Sequence, residues 1–317
     1  MEQTEVKKES SDQPGNVNAV TAIAPSPESN VSAQTSGQGS IKPNCGGKSS
    51  GASSMLNGSG TSYSYIYALG RVMARFPTMS VEKEFAQAAG RAETAGLTDQ
   101  QTFHSVLSKH ENRYLVRKMC WVFTVEGMET YILQPRDPVD FELLVEAIRP
   151  VPGPTDIDVV IGMKGPIAPP EMCNGLMVPV VGFDQMYSFD IEELIKSIPR
   201  PETIPEEQFE AVAKELFWRI MQMTDNAGAT DEHRALNYLA VRYPAIYAKT
   251  AEEFGRNYSM TAVEVLPSRL SGVRKIVDVI FSYTHRETDV TEKFFVRVDV
   301  TEEFPFLVTK LSPYYDH

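Results

Sequence analysis

The chain has 317 residues, and 30 Lys and Arg stand against 42 Asp and Glu for a formal net charge of -12. An acidic chain with no basic block is poorly made for a phosphate backbone, so nucleic acid is excluded as a partner. No run approaches the roughly 18 apolar residues of a membrane-spanning helix, and the first residues lead into no apolar segment. No membrane association and no secretory signal are expected, and the expected setting is cytoplasmic. Three cysteines cannot all pair within one chain, and Cys45, Cys120 and Cys173 sit far apart, so a disulfide scaffold is not expected.

Composition divides the chain sharply. Residues 1–62 contain no Phe, Trp or Tyr, and all 30 aromatics follow from Tyr63 onward. A Ser/Gly-rich segment of this kind cannot bury enough apolar surface to offset the entropy of ordering its backbone. Residues 1–60 are therefore expected to be a disordered tail or linker, and residues 61–317 the folded domain.

From Tyr63 the elements follow in order. Tyr63-Ser64-Tyr65-Ile66-Tyr67-Ala68-Leu69 reads as a strand. Ser80 caps a helix expected from Val81 to about Ala95, and Thr98 with Gln101 makes a capping box for a second one. Met119–Val125 and Met128–Leu133 predict a hairpin turning at Glu126-Gly127. Asp137-Pro138 opens a further helix. Ile157–Gly162 predicts a strand, then a Pro/Gly loop, then a strand from Leu176 to Phe183 that Pro179 assigns to an edge or bulge. Glu206 to about Asp225 is an amphipathic helix, and Thr230 or Asp231 caps another that Pro244 interrupts. Four stretches between Val263 and Lys310 read as a β-meander. The expected class is α+β, a mixed, largely antiparallel sheet with several helices and a C-terminal β-meander.

Chemistry-bearing residues are sparse. Gly47-Lys48-Ser49 lacks the first glycine of a phosphate loop, and Gly60-Thr61-Ser62 has no partner segments for a serine protease triad. Thiolate and imidazole are the ligands zinc prefers, which makes Cys120, Cys173 and His233 the candidate metal set and zinc the candidate cofactor. No two of them have zinc-ribbon spacing, so the fold would have to assemble the site. Cys173, with Asp231-Glu232-His233 opening a helix, is also the one combination that offers a nucleophile, a base and an orienting group. The bland readings are a small core residue at Cys120 and a helix start favoured by Asp231 and Glu232. No catalytic or cofactor-binding residue is assigned on spacing alone. The tyrosines of the first strand are read as core or interface, and aromatic strands at a sheet edge predict a homodimer.

Longer runs carry a resemblance. Tyr67-Ala68-Leu69-Gly70, Phe85-Ala86-Gln87-Ala88-Ala89-Gly90-Arg91, Asn112-Arg113-Tyr114-Leu115 and Pro169-Pro170-Glu171-Met172-Cys173-Asn174-Gly175 are four of them. Asp231-Glu232-His233-Arg234-Ala235-Leu236-Asn237-Tyr238 and Ser271-Gly272-Val273-Arg274-Lys275 are two more. Together, over residues 63–315, the sequence resembles the C-terminal domain of unknown function of the cyanobactin maturation proteins, the PatA/PatG type. In that family the domain usually follows a subtilisin-like protease that acts on a ribosomally made precursor peptide, and no such protease lies in this sequence. The resemblance implies a non-proteolytic accessory role in the biosynthesis of a ribosomally made, post-translationally modified peptide. The expected partner is the precursor peptide or a peptide-modifying enzyme, and the strand-rich C-terminus offers edges that accept an extended peptide by strand addition. That reading favours a binding module over an enzyme; the alternative is a peptide-modifying enzyme built around Cys173 and His233, with or without zinc.

Overall fold

The computed structural model describes residues 64–90, 98–149, 153, 156–223 and 225–315. The expected tail over residues 1–60, Tyr63 and the far end of the first expected helix lie outside the described residues.

Five strands close on themselves. β1 (Ser64–Arg75), β2 (Cys120–Val125), β3 (Met128–Pro135), β4 (Asp156–Ile167) and β5 (Pro179–Asp190) form a barrel in the order β1-β2-β3-β5-β4. Every neighbouring pair is antiparallel except β3 with β5. The β2–β3 hairpin turns where expected, on Glu126 (φ 50°) and Gly127 (φ 80°), two left-handed residues of the kind a two-residue hairpin loop requires. One expectation about edges needs correction: β1 pairs with both β2 and β4, so its tyrosines stand at no edge. Pro179 opens β5, which lies between β3 and β4, and the bulge expected there is present, as the register shifts between Lys164 and Ile167, the residue opposite Pro179.

Among the described residues, eight helices accompany the strands. α1 (Met79–Ala89) is capped by Thr78 rather than Ser80 and stops at Gly90, whose φ is 62°. α2 (Asp99–Leu107) has the Thr98–Gln101 capping box read from the sequence. α3 (Arg113–Lys118) and α4 (Phe141–Ala147) complete the first group, with a 3-10 turn at Pro138–Asp140 ahead of α4. α5 (Ile191–Ser197), α6 (Glu206–Met221), α7 (Asp231–Arg242) and α8 (Ala245–Gly255) form the second. Pro244 ends α7 and starts α8. A second sheet follows, with β6 (Tyr258–Pro267), β7 (Ile276–His285) and β8 (Thr291–Asp299) as an antiparallel meander. Two short strands, β9 (Phe306–Leu307) and β10 (Ser312–Pro313), pair with β8. The fold is α+β, as the sequence predicts.

Side-chain alternation builds two cores from the same strands. Ile66 and Ala68 of β1 point into the barrel with Trp121, Phe123, Tyr131, Val160 and Phe183, and α1 to α4 extend that cluster. Tyr67 and Leu69, with Ile157, Val159 and Ile161 of β4, point outward into α6 and α7. The far side of those helices packs on Val277, Val279 and Phe281 of β7 and Val296 and Val298 of β8. The order is therefore barrel, helices, sheet. Burial on both faces explains why β1 and β4 are continuous apolar runs rather than alternating ones. Gly228 (φ 70°) fixes the join: a Cβ there would fall 2.3 Å from the Tyr67 carbonyl oxygen. That carbonyl also accepts from the buried Asn237 side chain on α7 at 2.8 Å.

Candidate functional site

The fold joins Cys120 and Cys173 as a disulfide across 53 residues of chain, with Cα atoms 5.7 Å apart. Both are buried, in a small apolar cluster where the 168–178 loop covers Val122 and Ile132 on the outside of the barrel. Pairing was not expected because sequence distance carries no information about which side of a barrel a loop crosses. His233 is not in that cluster. It lies in the first turn of α7, where its backbone N–H bonds the Thr230 hydroxyl at 3.1 Å. Among the described residues, no group of three or more His, Cys, Asp and Glu has the arrangement of a metal site. The candidate set Cys120, Cys173 and His233 is thus divided between two places, with its two sulfurs bonded to each other.

Three polar side chains that the sequence did not single out have structural roles, Asp158 and Arg234 buried and Glu303 half-buried. Asp158 accepts from Val72 N–H at 2.7 Å and from the Ser188 hydroxyl. Burial pushes its carboxyl up to about 6, against the pull of those two hydrogen bonds. Arg234 on α7 donates to the carbonyls of Val300, Glu302 and Glu303 and lies over the Tyr65 ring at 5.5 Å. Glu303 is pushed up to about 7 by burial and by its hydrogen bond to Asp184, with Arg136 and Arg234 opposing. Asp184 is in turn paired with Arg136 at 2.7 Å. Together these groups tie β1, β5 and α7 to the segment after β8.

The second sheet ends at β6, and its outer side is the exposed backbone edge. Ser268 N–H bonds the Ile276 carbonyl at 2.8 Å, which sets the phase of the ladder. Backbone direction alternates along a strand, so Glu264 and Leu266 face β7 with their N–H and C=O groups, while Val263 and Val265 face outward. Pro267, the next outward residue, has no N–H to offer. At the other end a register shift between Met260 and Ala262 breaks the alternation, and the outward carbonyl of Met260 accepts from the Arg219 guanidinium of α6. The edge is closed at both ends and open between them. The open part comprises the N–H and C=O groups of Val263 and Val265, four backbone groups in an extended row.

Side chains around the open part are placed by the same alternation. Val263 and Val265 pack toward the helices, and Glu264 and Leu266 stand on the opposite, outer face. Next to Leu266 the outer face has a hollow of about 280 Å³ lined by Ile280, Tyr314 and Tyr315 among others. The sequence contained one signal for this edge, a proline ending a β-branched run, but which neighbour β6 lacks is decided by tertiary structure.

Comparison with known proteins gives two likenesses. Residues 203–314 match the family model described as PatG C-terminal. A solved structure titled PatG Domain of Unknown Function superposes with a TM-score of 0.63 at 18% identity, covering 79% of this chain and 98% of that one. No curated protein matches. Residues 203–314 run from just before α6 to β10, so they include the whole second sheet and its β6 edge. Residues 203–314 are thus similar to the PatG C-terminal family, and the fold of the chain is similar to that of the PatG domain of unknown function.

Proposed function

We propose that this protein is a non-proteolytic accessory module in the biosynthesis of a ribosomally made, post-translationally modified, cyanobactin-like peptide. Its task is to hold the precursor peptide as an added strand along β6; an extended segment of a modifying enzyme is the other partner of the same chemistry. The observation that carries the reading is the open row of Val263 and Val265 between Arg219 and Pro267. Backbone groups in such a row pair with any extended chain, and side chains beside the row set the preference.

Magnitudes shape the expectation. Four backbone hydrogen bonds at a net of about 1 kcal/mol each give roughly 4 kcal/mol, which corresponds to about 1 mM. Contacts from side chains must supply the remainder, and a weak, readily released complex suits a domain that presents a peptide to another enzyme. The proposal contains no bond-making step. The alternative enzyme, built on Cys173 and His233 with or without zinc, gains no support from a Cys173 bonded to Cys120.

A cytoplasmic setting is part of the same proposal. There the Cys120–Cys173 bond would be shielded from reductant by burial in its apolar cluster. Homodimerisation, expected from aromatic strands at an edge, loses β1 as its edge, and a second copy at β6 would exclude the peptide.

The test is a titration of the precursor peptide against the wild type and Val265→Pro. That substitution deletes an outward N–H and leaves the β6–β7 ladder bonds in place. Binding that is lost in the variant and lost again when the peptide is N-methylated at alternate residues supports strand addition. Unchanged binding in both cases would refute it. Sedimentation of the free protein reports whether a second copy takes the edge instead.

A further inference from the structure

We infer that the β6 edge selects an extended peptide with a basic residue and an aliphatic residue two positions apart, set opposite Glu264 and Leu266. This rests on the strand-addition reading and adds to it the chemistry of the occupant. Val263 and Val265 supply the backbone pairing, so residues of an added strand that lie opposite Glu264 and Leu266 fall at the positions between hydrogen-bonded pairs. Cα atoms approach most closely there, near 4.5 Å in general, and side chains of the two strands lie on the same face. Because side chains alternate, those two opposing residues are separated by one residue whichever direction the added strand runs.

The two positions differ in chemistry. Glu264 is exposed and forms no ion pair among the described residues. A basic side chain opposite it gains a partner, and the chain's net charge of -12 adds a long-range attraction of the same sign. Leu266 is 47% exposed, so an aliphatic side chain opposite it covers apolar surface; the hollow lined by Ile280, Tyr314 and Tyr315 lies on its other side, over β7. The charged pair in the same hollow, Asp278 and Arg297, is bonded at 2.9 Å and leaves no net charge for a ligand to neutralise. Arg269 follows β6 at its Leu266 end, so a basic side chain is disfavoured opposite Leu266 and favoured opposite Glu264.

The experiment uses synthetic probes: blocked nonapeptides of Thr and Val whose central three residues are Arg-Thr-Leu, or the reversed Leu-Thr-Arg. Comparison peptides replace the Arg by Glu or the Leu by Asp. Binding to the full chain is read by fluorescence anisotropy. Either replacement is expected to weaken binding by about fivefold, the upper range for one cross-strand pair. Glu264→Lys, a substitution of an exposed side chain, is expected to reverse the Arg-over-Glu order. If all peptides bind alike and Val265→Pro abolishes their binding, the sequence preference is overturned and strand addition stands. If no peptide binds, or if Val265→Pro changes nothing, the edge reading fails and this inference fails with it.

Discussion

Asp158 on β4 accepts the backbone N–H of Val72 on β1 at 2.7 Å, just past the point where β1 leaves β4 and begins to pair with β2. A strand that changes partners would leave an amide unsatisfied at the corner, and this carboxylate satisfies it. Asp158→Ala should destabilise the domain by about 2 kcal/mol, as expected for an orphaned buried donor. Chemical denaturation at pH 7 checks the size.

The same residue predicts a pH dependence. Its carboxyl titrates near 6 in the folded chain against 3.8 when unperturbed, so between those values the folded state binds more protons than the unfolded one. Stability contributed by this group is complete below about pH 4 and is lost as pH rises through 6. Glu303, raised to about 7 from 4.5, acts with the same sign over a slightly higher window. The denaturation midpoint should fall between pH 4 and 7 from these two groups. Asp158→Asn should flatten the lower part of that fall, and a midpoint slope identical to the wild type would contradict the assignment.

Cys120 and Cys173 predict a thiol count. With that pair bonded, unfolded non-reduced protein should react with one equivalent of thiol reagent per chain rather than three, since the chain has three cysteines. Closing 53 residues of chain is worth at most roughly 4 kcal/mol by loop entropy. Cys173→Ala should therefore cost several kcal/mol without reductant and much less with it.

Arg234 gives the fourth prediction. One buried guanidinium satisfies three carbonyls of the segment after β8. Arg234→Ala should cost about 3 kcal/mol, and Arg234→Lys should recover little, because an ammonium cannot reproduce the planar fork. Proteolysis within residues 300–305 should accelerate in both variants while β7 remains protected.

Several signals in the sequence decide structure locally. The Thr98–Gln101 box caps α2, Glu126-Gly127 turns the first hairpin, Thr230 caps α7 and Pro244 ends it. Thr78 displaced Ser80 as a cap because both have the required hydroxyl and only packing of Val81 and Phe85 selects the phase of α1. Barrel closure was not legible, since the parallel pairing of β3 with β5 spans residues whose patterns suit either an edge or an interior strand. The candidate site was half legible. The meander and Pro267 can be read from the sequence, but Arg219 capping Met260 joins residues 41 positions apart and exists only in the fold.

The most direct measurement is amide hydrogen exchange along β6 with and without the precursor peptide. The account predicts that the Val263 and Val265 amides exchange quickly in the free protein and become protected on binding, while Glu264 and Leu266, already bonded to β7, change little. Protection elsewhere, with Val263 and Val265 unchanged, would contradict it.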